Sequence, residues 1–260
     1  TKRWKKGTPF LKSILEERQA EAITLYTSTV SGLPAGKAFS YRIFRDGMEV
    51  FSTAAKAQVR EDQPFKFVVA GDLGAGSLGQ RRIAQRIYSE SPDLWVMPGD
   101  LVYNMGLQSD YLARFFPIFN ADESKETAGA PIMRSTLCAP VIGNHDIAQS
   151  VILSPTNFDR MKDALGYFLV WSAPLNGPLT HFQGQNVCPV VGNASRLAAF
   201  AQGAGKRFPQ MANYSFDFGN THWIVLDGNY YMDWSSPDLR KWVSDDLARA
   251  SSAKWKFATF

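Results

Sequence analysis

The sequence lacks any long hydrophobic run. None of its apolar stretches approaches the roughly 18–20 residues that a membrane-spanning helix needs, which argues against a membrane-embedded protein. The first thirty residues also lack the apolar middle region of a signal peptide. We therefore expect that any such peptide has been removed or never existed.

Strong charge of one sign and abundant cysteine are missing as well. The net charge is only +4, which equals the charge of one basic cluster near the start: Lys2, Arg3, Lys5 and Lys6. The remainder is close to neutral, so the composition gives no case for a nucleic-acid partner. The two cysteines, Cys138 and Cys188, allow one disulfide at most, and two free buried thiols are an equally open alternative.

What the sequence does contain is a packed globular composition, with 45% hydrophobic and 13% aromatic residues in 260. Residues 23–59 are rich in β-branched residues. ITLYTSTV predicts one strand there, and FSYRIFRDG and MEVFSTAA predict two more, joined by a hairpin turn at Asp46-Gly47. This part is too short to be a stable sandwich by itself.

From Pro64 onward, strands and helices alternate, which predicts an α/β fold with a largely parallel sheet covered by helices. Predicted strands follow at FKFVVA, LWVMP and APVI, and helices at SLGQRRIAQRIYSE and PDLRKWVSDDLARA. Residues 147–212 show no strong periodicity, so we expect a lid or substrate-side loop there. NYSFDF and HWIVLD predict a hairpin, and KWKFATF predicts a last strand.

Three short segments carry most of the functional information: GDLG at 71–74, GDLVY at 99–103 and GNHD at 143–146. Each places a carboxylate, phenol, amide or imidazole on the turn that follows a predicted strand. In an α/β sheet such turns meet at the carboxyl edge, where ligands bind. One turn alone would be unremarkable, because Asp before Gly is common in turns. Three in succession predict a metal-dependent phosphoesterase.

Hard oxygen and imidazole ligands suit iron, manganese, zinc or magnesium. We expect Asp72 to hold one ion, Asn144 to hold a second through its amide oxygen, and Asp100 to bridge the two. Two ions at such a site lower the pKa of a bound water and polarise the phosphoryl oxygens. His145 could protonate the leaving oxygen, and Asp146 could orient its imidazole.

These segments resemble the first three sequence blocks of the calcineurin-like metallophosphoesterases. Tyr103, three residues after Asp100, resembles the tyrosine that distinguishes the purple acid phosphatase branch of that family. The resemblance implies a four-layer β-sandwich core flanked by helices over residues 64–260. It further implies part of a fibronectin-type β domain over residues 1–60. The expected activity is hydrolysis of small phosphate esters by a metal-bound hydroxide, with no nucleic-acid or membrane partner.

By the same resemblance Asp72, Asp100 and Tyr103 would bind Fe(III), and Asp100 and Asn144 would bind a divalent ion, either Zn, Mn or Fe. The resemblance also implies a secreted, periplasmic, vacuolar or lysosomal protein. The family's last blocks supply three histidine ligands that this sequence lacks. Because the β-rich stretch 23–59 begins abruptly and the chain ends inside a predicted strand, we expect a fragment cut at both ends, whose site a C-terminal extension or second fragment completes.

Three alternatives stay open at this point. The chain could be a phosphodiesterase or nucleotide pyrophosphatase of the same superfamily, or a binding protein that kept the fold and lost its metals. A Rossmann-type nucleotide binder is a poor match, because the glycines after the first strand do not fit G-x-G-x-x-G. His181, Asn104 and Tyr230 are candidates for substrate contacts, His222 is expected to be structural, and Asn193 and Asn213 fit the glycosylation pattern.

Overall fold

The computed structural model describes residues 23–148, 154–178 and 186–260. The predicted hairpin is present near its start. Strands β1 (Ala38–Arg45) and β2 (Met48–Lys56) pair antiparallel, with Arg45 opposite Met48. Asp46 and Gly47 between them both have positive φ, 52° and 79°, as a tight two-residue hairpin turn requires. The hairpin is attached to the rest of the molecule where the Tyr41 hydroxyl donates to the Arg134 carbonyl at 2.9 Å.

A three-stranded parallel sheet follows, in the spatial order β3, β4, β5. Its strands are Phe67–Val69, Leu94–Met97 and Leu137–Pro140. Helix α1 (Leu78–Ser89) connects the first two and begins at Ser77, whose side chain accepts a hydrogen bond from the Gln80 amide. This strand–helix–strand arrangement is the one that the sequence predicts.

The second connection is a helical stretch that changes its winding. It runs through helix α2 (Gln108–Asp110), a π-helical turn (Tyr111–Phe115) and helix α3 (Phe116–Phe119), and a short 3₁₀ turn (Ile132–Arg134) follows. Pro117 lacks the amide hydrogen that a regular helix would use, and the π-helical turn lies immediately before it. The helix therefore widens here instead of ending.

The second sheet has three strands in the order β10, β9, β8. Strands β8 (Tyr214–Phe218) and β9 (Thr221–Val225) form the predicted antiparallel hairpin, and β10 (Trp255–Thr259) pairs parallel to β9. Helix α7 (Pro237–Arg249) connects them and covers the outer face of this sheet, because Asp246 on the helix bonds both Ser215 and His222.

The two sheets pack face to face. Their shared core includes Leu94, Val96 and Val141 from the first sheet and Tyr214, Trp223 and Val225 from the second. The opposite face of the first sheet presents Trp95 and Met97 to a larger core, to which helix α1 contributes Ala84 and Ile87. The order of layers is helix, sheet, sheet, helix, so the described residues form a mixed α/β structure of the expected kind. The fibronectin-type assignment of the first part stays a prediction.

The expectation of a lid-like loop over residues 147–212 is wrong for most of its described part. That part contains strands β6 (Thr156–Asn157) and β7 (Val190–Val191) and helices α4 (Gly166–Val170), α5 (Ala194–Ala204) and α6 (Arg207–Gln210). Tyr167, Phe168 and Phe200 are buried in the larger core. Elements this short bury aromatic side chains without producing a periodic sequence pattern.

A further expectation differs from the structure. Residues 23–30, predicted as a strand, form no strand with other described residues and are exposed. The predicted β-propensity is therefore not expressed among the described residues. None of the helices in the described ranges is long and apolar enough to cross a membrane. The basic cluster near the start lies outside the described residues.

Cys138 and Cys188 are both free thiols, so the disulfide alternative is wrong. Burial raises the pKa of each thiol to about 12. The thiolate is the reactive form, and a raised pKa keeps its fraction low at neutral and mildly alkaline pH.

We therefore predict that the native protein reacts with a thiol-disulfide reagent at about pH 8 at least ~100-fold more slowly than the same protein unfolded in urea. The absorbance of the released thiolate measures this. In urea two thiols per chain should titrate. Rapid reaction of the folded protein would contradict the burial of these side chains.

Candidate metal centre

The three motif turns lie side by side at the carboxyl edge of the first sheet. Asp72 follows β3, Asp100 follows β4 and Asn144 follows β5, each within three or four residues of the strand end. The Asp72 amide donates to the Gly99 carbonyl at 3.2 Å, and the Leu73 amide donates to the Asp100 carbonyl at 3.0 Å. The first two turns are thus joined by their backbones, as parallel neighbouring strands require.

Glycine makes the approach of the second and third turns possible. A Cβ atom on Gly143 would lie 2.2 Å from the Asp100 amide nitrogen and 2.4 Å from its Oδ1 atom. Those distances are far below van der Waals contact, so no other residue fits without moving the backbone. Asp72 and Asp100 themselves have left-handed backbone conformations, with φ of 56° and 51°. Residues other than glycine adopt this conformation rarely, and aspartate does so more readily than most.

Three oxygen donors converge at the joined turns. The Tyr103 hydroxyl contacts Asp72 Oδ1 and lies 3.1 Å from Asp100 Oδ2. Burial raises the pKa of Tyr103, and its bond to Asp72 and the charge of Asp100 raise it further. Within the described residues, neither carboxylate forms an ion pair with a lysine or arginine. Two carboxylates and a phenol oxygen without such a partner form a set that suits a hard cation.

His145 lies against these donors. Its Nδ1 atom is 2.8 Å from the Asn104 carbonyl oxygen, which can only accept, so Nδ1 carries a hydrogen. Its Nε2 atom is 4.0 Å from Asp100 Oδ2 and its ring centre is 4.5 Å from that of Tyr103. The backbone amide of His145 donates to Asp100 Oδ1 at 3.0 Å. The imidazole is therefore oriented with Nε2 toward the oxygen cluster.

Asp146 does not orient this imidazole. Its carboxylate is fully buried and accepts hydrogen bonds from the Leu101 and Gly143 amides and from the Tyr111 hydroxyl. Burial raises the pKa of Asp146 to about 7, against the opposing effect of the two amides. The structure thus places Asp146 between the second and third turns. The Asn104 carbonyl, and not Asp146, orients the His145 imidazole.

The remaining predicted residues are placed as follows. The Asn144 side chain is exposed, on a turn whose neighbours Gly143 and His145 both contact Asp100. His222 is buried between Asp217 and Asp246 on the outer face of the second sheet, so it is structural, as expected. Tyr230 is 42% exposed, and His181 lies outside the described residues.

The two glycosylation patterns have different settings. Asn213 is 5% exposed and accepts a hydrogen bond from the Asp227 amide, which leaves no room for a sugar. Asn193 is exposed but uses its side-chain oxygen to cap helix α5. The structure therefore removes Asn213 as a modification site in the folded protein.

Two residues that sequence reasoning missed support the turns from the π-helical stretch. Tyr111 donates to Asp146 at 3.0 Å, and Arg114 donates to the Tyr103 carbonyl at 2.8 Å. No local sequence signal marks them, because each acts on a residue that is distant along the chain. Among the described residues, no group of three or more His, Cys, Asp and Glu side chains is arranged to hold a metal ion.

A two-sheet α/β fold with three polar turns at one sheet edge is consistent with a phosphoesterase. The chain belongs to the calcineurin-like phosphoesterase family, whose model matches residues 65–260. Members of this family usually bind two metal ions. A solved structure titled "Structure of PhoD" is 15% identical over 87% of this chain, with a TM-score of 0.46, and this chain spans 48% of that one. No curated protein matches the chain.

The contact of Gly143 with Asp100 gives a direct test of the turn geometry. Replacement Gly143→Ala should lower the free energy of unfolding by about 2–4 kcal/mol, because the added methyl group must displace backbone. Gly79→Ala is the matched control, since its Cβ would meet only Ser77 Oγ at 3.6 Å within a helix. That control should be neutral or stabilising by about 0.5–1 kcal/mol. Equal stabilities of the two variants in urea unfolding would contradict the close approach.

Proposed function

We propose that this chain hydrolyses small phosphate esters at the edge where the three turns meet, as a phosphatase of the purple acid type. One observation carries the proposal. The Tyr103 hydroxyl meets both Asp72 and Asp100, so a phenol and two carboxylates face one point. This donor set is richer in oxygen than a structural zinc site, in which thiolates and imidazoles predominate.

The residues present fit the oxygen-ligand side of a two-metal centre. We assign Asp72, Asp100 and Tyr103 to Fe(III), and Asp100 and Asn144 to a divalent ion, either Zn, Mn or Fe. When bound, such ions activate a water molecule and neutralise the phosphoryl oxygens. The proposal assigns no further ligands to either ion.

His145 is our choice for the general acid. With its Nδ1 hydrogen fixed on the Asn104 carbonyl, only Nε2 can exchange a proton with a bound ester. The side chain is 18% exposed, so the ring is reachable from solvent while its orientation is fixed. His145 would hold a proton at Nε2 and deliver it to the leaving oxygen.

The buried Asp146 is assigned a supporting part. It binds the amides of the second and third turns, and so holds the backbone on which Asp100 and His145 stand. A compartment outside the cytoplasm stays part of the proposal.

The assignment of Tyr103 has a spectroscopic consequence. A phenolate bound to Fe(III) gives a visible charge-transfer band, so the Fe(III)-loaded protein should be coloured and Tyr103→Phe should abolish the band. Tyr88→Phe is the control, since Tyr88 lies on helix α1 away from the three turns. Absorbance spectra of the three proteins measure this. Colour that survives Tyr103→Phe would remove Tyr103 from the ligand set.

The assignment of His145 has a kinetic consequence. Loss of a general acid costs about 10²–10⁴-fold when the leaving group needs a proton, and far less for nitrophenol, which leaves unprotonated. His145→Ala should therefore slow hydrolysis of an alkyl phosphate much more than that of p-nitrophenyl phosphate. Equal losses on the two substrates would contradict the role.

The same assay addresses the rival phosphodiesterase function. The monoesterase proposal predicts that wild-type protein cleaves p-nitrophenyl phosphate faster than bis(p-nitrophenyl) phosphate. The reverse order would favour the phosphodiesterase.

A further inference from the structure

We propose that Arg114 is a positioning residue for the Tyr103 phenol. Its Nη1 atom donates to the Tyr103 carbonyl oxygen at 2.8 Å. Among the described residues, no hydrogen bond or ion pair joins Arg114 to the phenol or to the carboxylates of Asp72 and Asp100. The inference rests on the proposed function, because it matters only if the phenol is a ligand. Arg114 would act through the backbone of Tyr103 and not on substrate.

The Tyr103 backbone is held on both sides. Its amide donates to the Gly74 carbonyl at 3.3 Å, and its carbonyl accepts from Arg114. The Tyr103 side chain extends from this fixed backbone, and its hydroxyl contacts the carboxylates of Asp72 and Asp100. Release of one side would allow the peptide unit to rotate and would move the hydroxyl away from the point where the oxygens converge.

Arg114 itself is held in place. Its Nε atom lies 3.5 Å from Asp110 Oδ1, one helical turn earlier, and the Asp110 side chain is 7% exposed. The hydrogen bond from Arg114 to the Tyr103 carbonyl comes from a charged guanidinium, so it is stronger than one between neutral groups, especially where water is partly excluded. The Arg114 side chain is 34% exposed, so it lies at the border of the core.

The same arginine also joins the first turn. The aliphatic part of Arg114 packs under Gly76, where a Cβ atom would lie 3.2 Å from Arg114 Cγ. The buried Gln80 side chain accepts from the Gly76 amide and donates to the Arg114 carbonyl at 2.8 Å. Arg114 and Gln80 therefore link the turn that carries Asp72 to the turn that carries Tyr103.

The π-helical turn explains how one short stretch serves two purposes. Tyr111 and Arg114 lie three residues apart in it, and Tyr111 bonds Asp146 while Arg114 bonds Tyr103. An extra residue in a helical turn changes the direction of the side chains that follow, and such turns occur often at functional sites. The turn thus supports the second motif through Arg114 and the third through Tyr111.

The test compares Arg114→Met with Arg196→Met. Arg196 is a close match, since its side chain is 33% exposed, pairs with Asp159 and donates to a backbone carbonyl, that of Phe158, at 3.1 Å. Each protein is titrated with Fe(III), and the visible band is followed. Loss of one charge-assisted hydrogen bond should weaken Fe(III) binding about tenfold and shift or weaken the band in Arg114→Met only.

Arg114→Lys guards against simple misfolding. Lysine keeps the positive charge and can still donate to the Tyr103 carbonyl, so this variant should recover part of the band and of the affinity. If wild-type protein shows no band with Fe(III), the proposed function fails and the inference fails with it. If wild type is coloured and Arg114→Met behaves like Arg196→Met, the positioning role alone is overturned. It is also overturned if Arg114→Met loses the band only together with its thermal unfolding transition, and Arg114→Lys folds like wild type but recovers neither band nor affinity.

Discussion

The candidate site depends on one buried carboxylate. Asp146 accepts hydrogen bonds from the second turn, from its own turn and from Tyr111, and it is completely excluded from water. A carboxyl group in such a place is costly unless it is fully hydrogen-bonded, so the groups that bond it are hard to displace. The position of Asp100 relative to His145 follows from this contact, because both stand on the backbone that Asp146 joins.

Histidine is scarce in this chain, and the fold uses one of the three away from the site. Both ring nitrogens of His222 lie 2.8 Å from a carboxylate oxygen, of Asp217 and of Asp246. His222 thereby ties helix α7 to the second sheet, where both of its ring nitrogens are already hydrogen-bonded.

The sequence was sufficient wherever a local rule determines the structure. The Asp46-Gly47 turn, the Ser77 helix start and the three strand-ending turns all depend on neighbours a few residues away. It was insufficient where distant segments meet. The bonds from Arg114 to Tyr103 and from Tyr111 to Asp146 depend on a π-helical turn that no pattern marks, and the metal-ligand assignments themselves stay predictions. The buried aromatics after residue 154 are scattered because each short element contributes only one or two.

Charge at the edge would link the proposed metal binding to folding. Asp72, Asp100 and Tyr103 crowd their oxygens together, and the raised pKa of Tyr103 shows that the protein alone disfavours a phenolate there. A bound cation reverses that preference, since its charge stabilises each anion that faces it. A cation that binds the assembled turns but not the unfolded chain must also stabilise the fold by mass action. The close glycine contact and the hydrogen bonds of Asp146 hold together turns whose carboxylates, those of Asp72 and Asp100, repel one another.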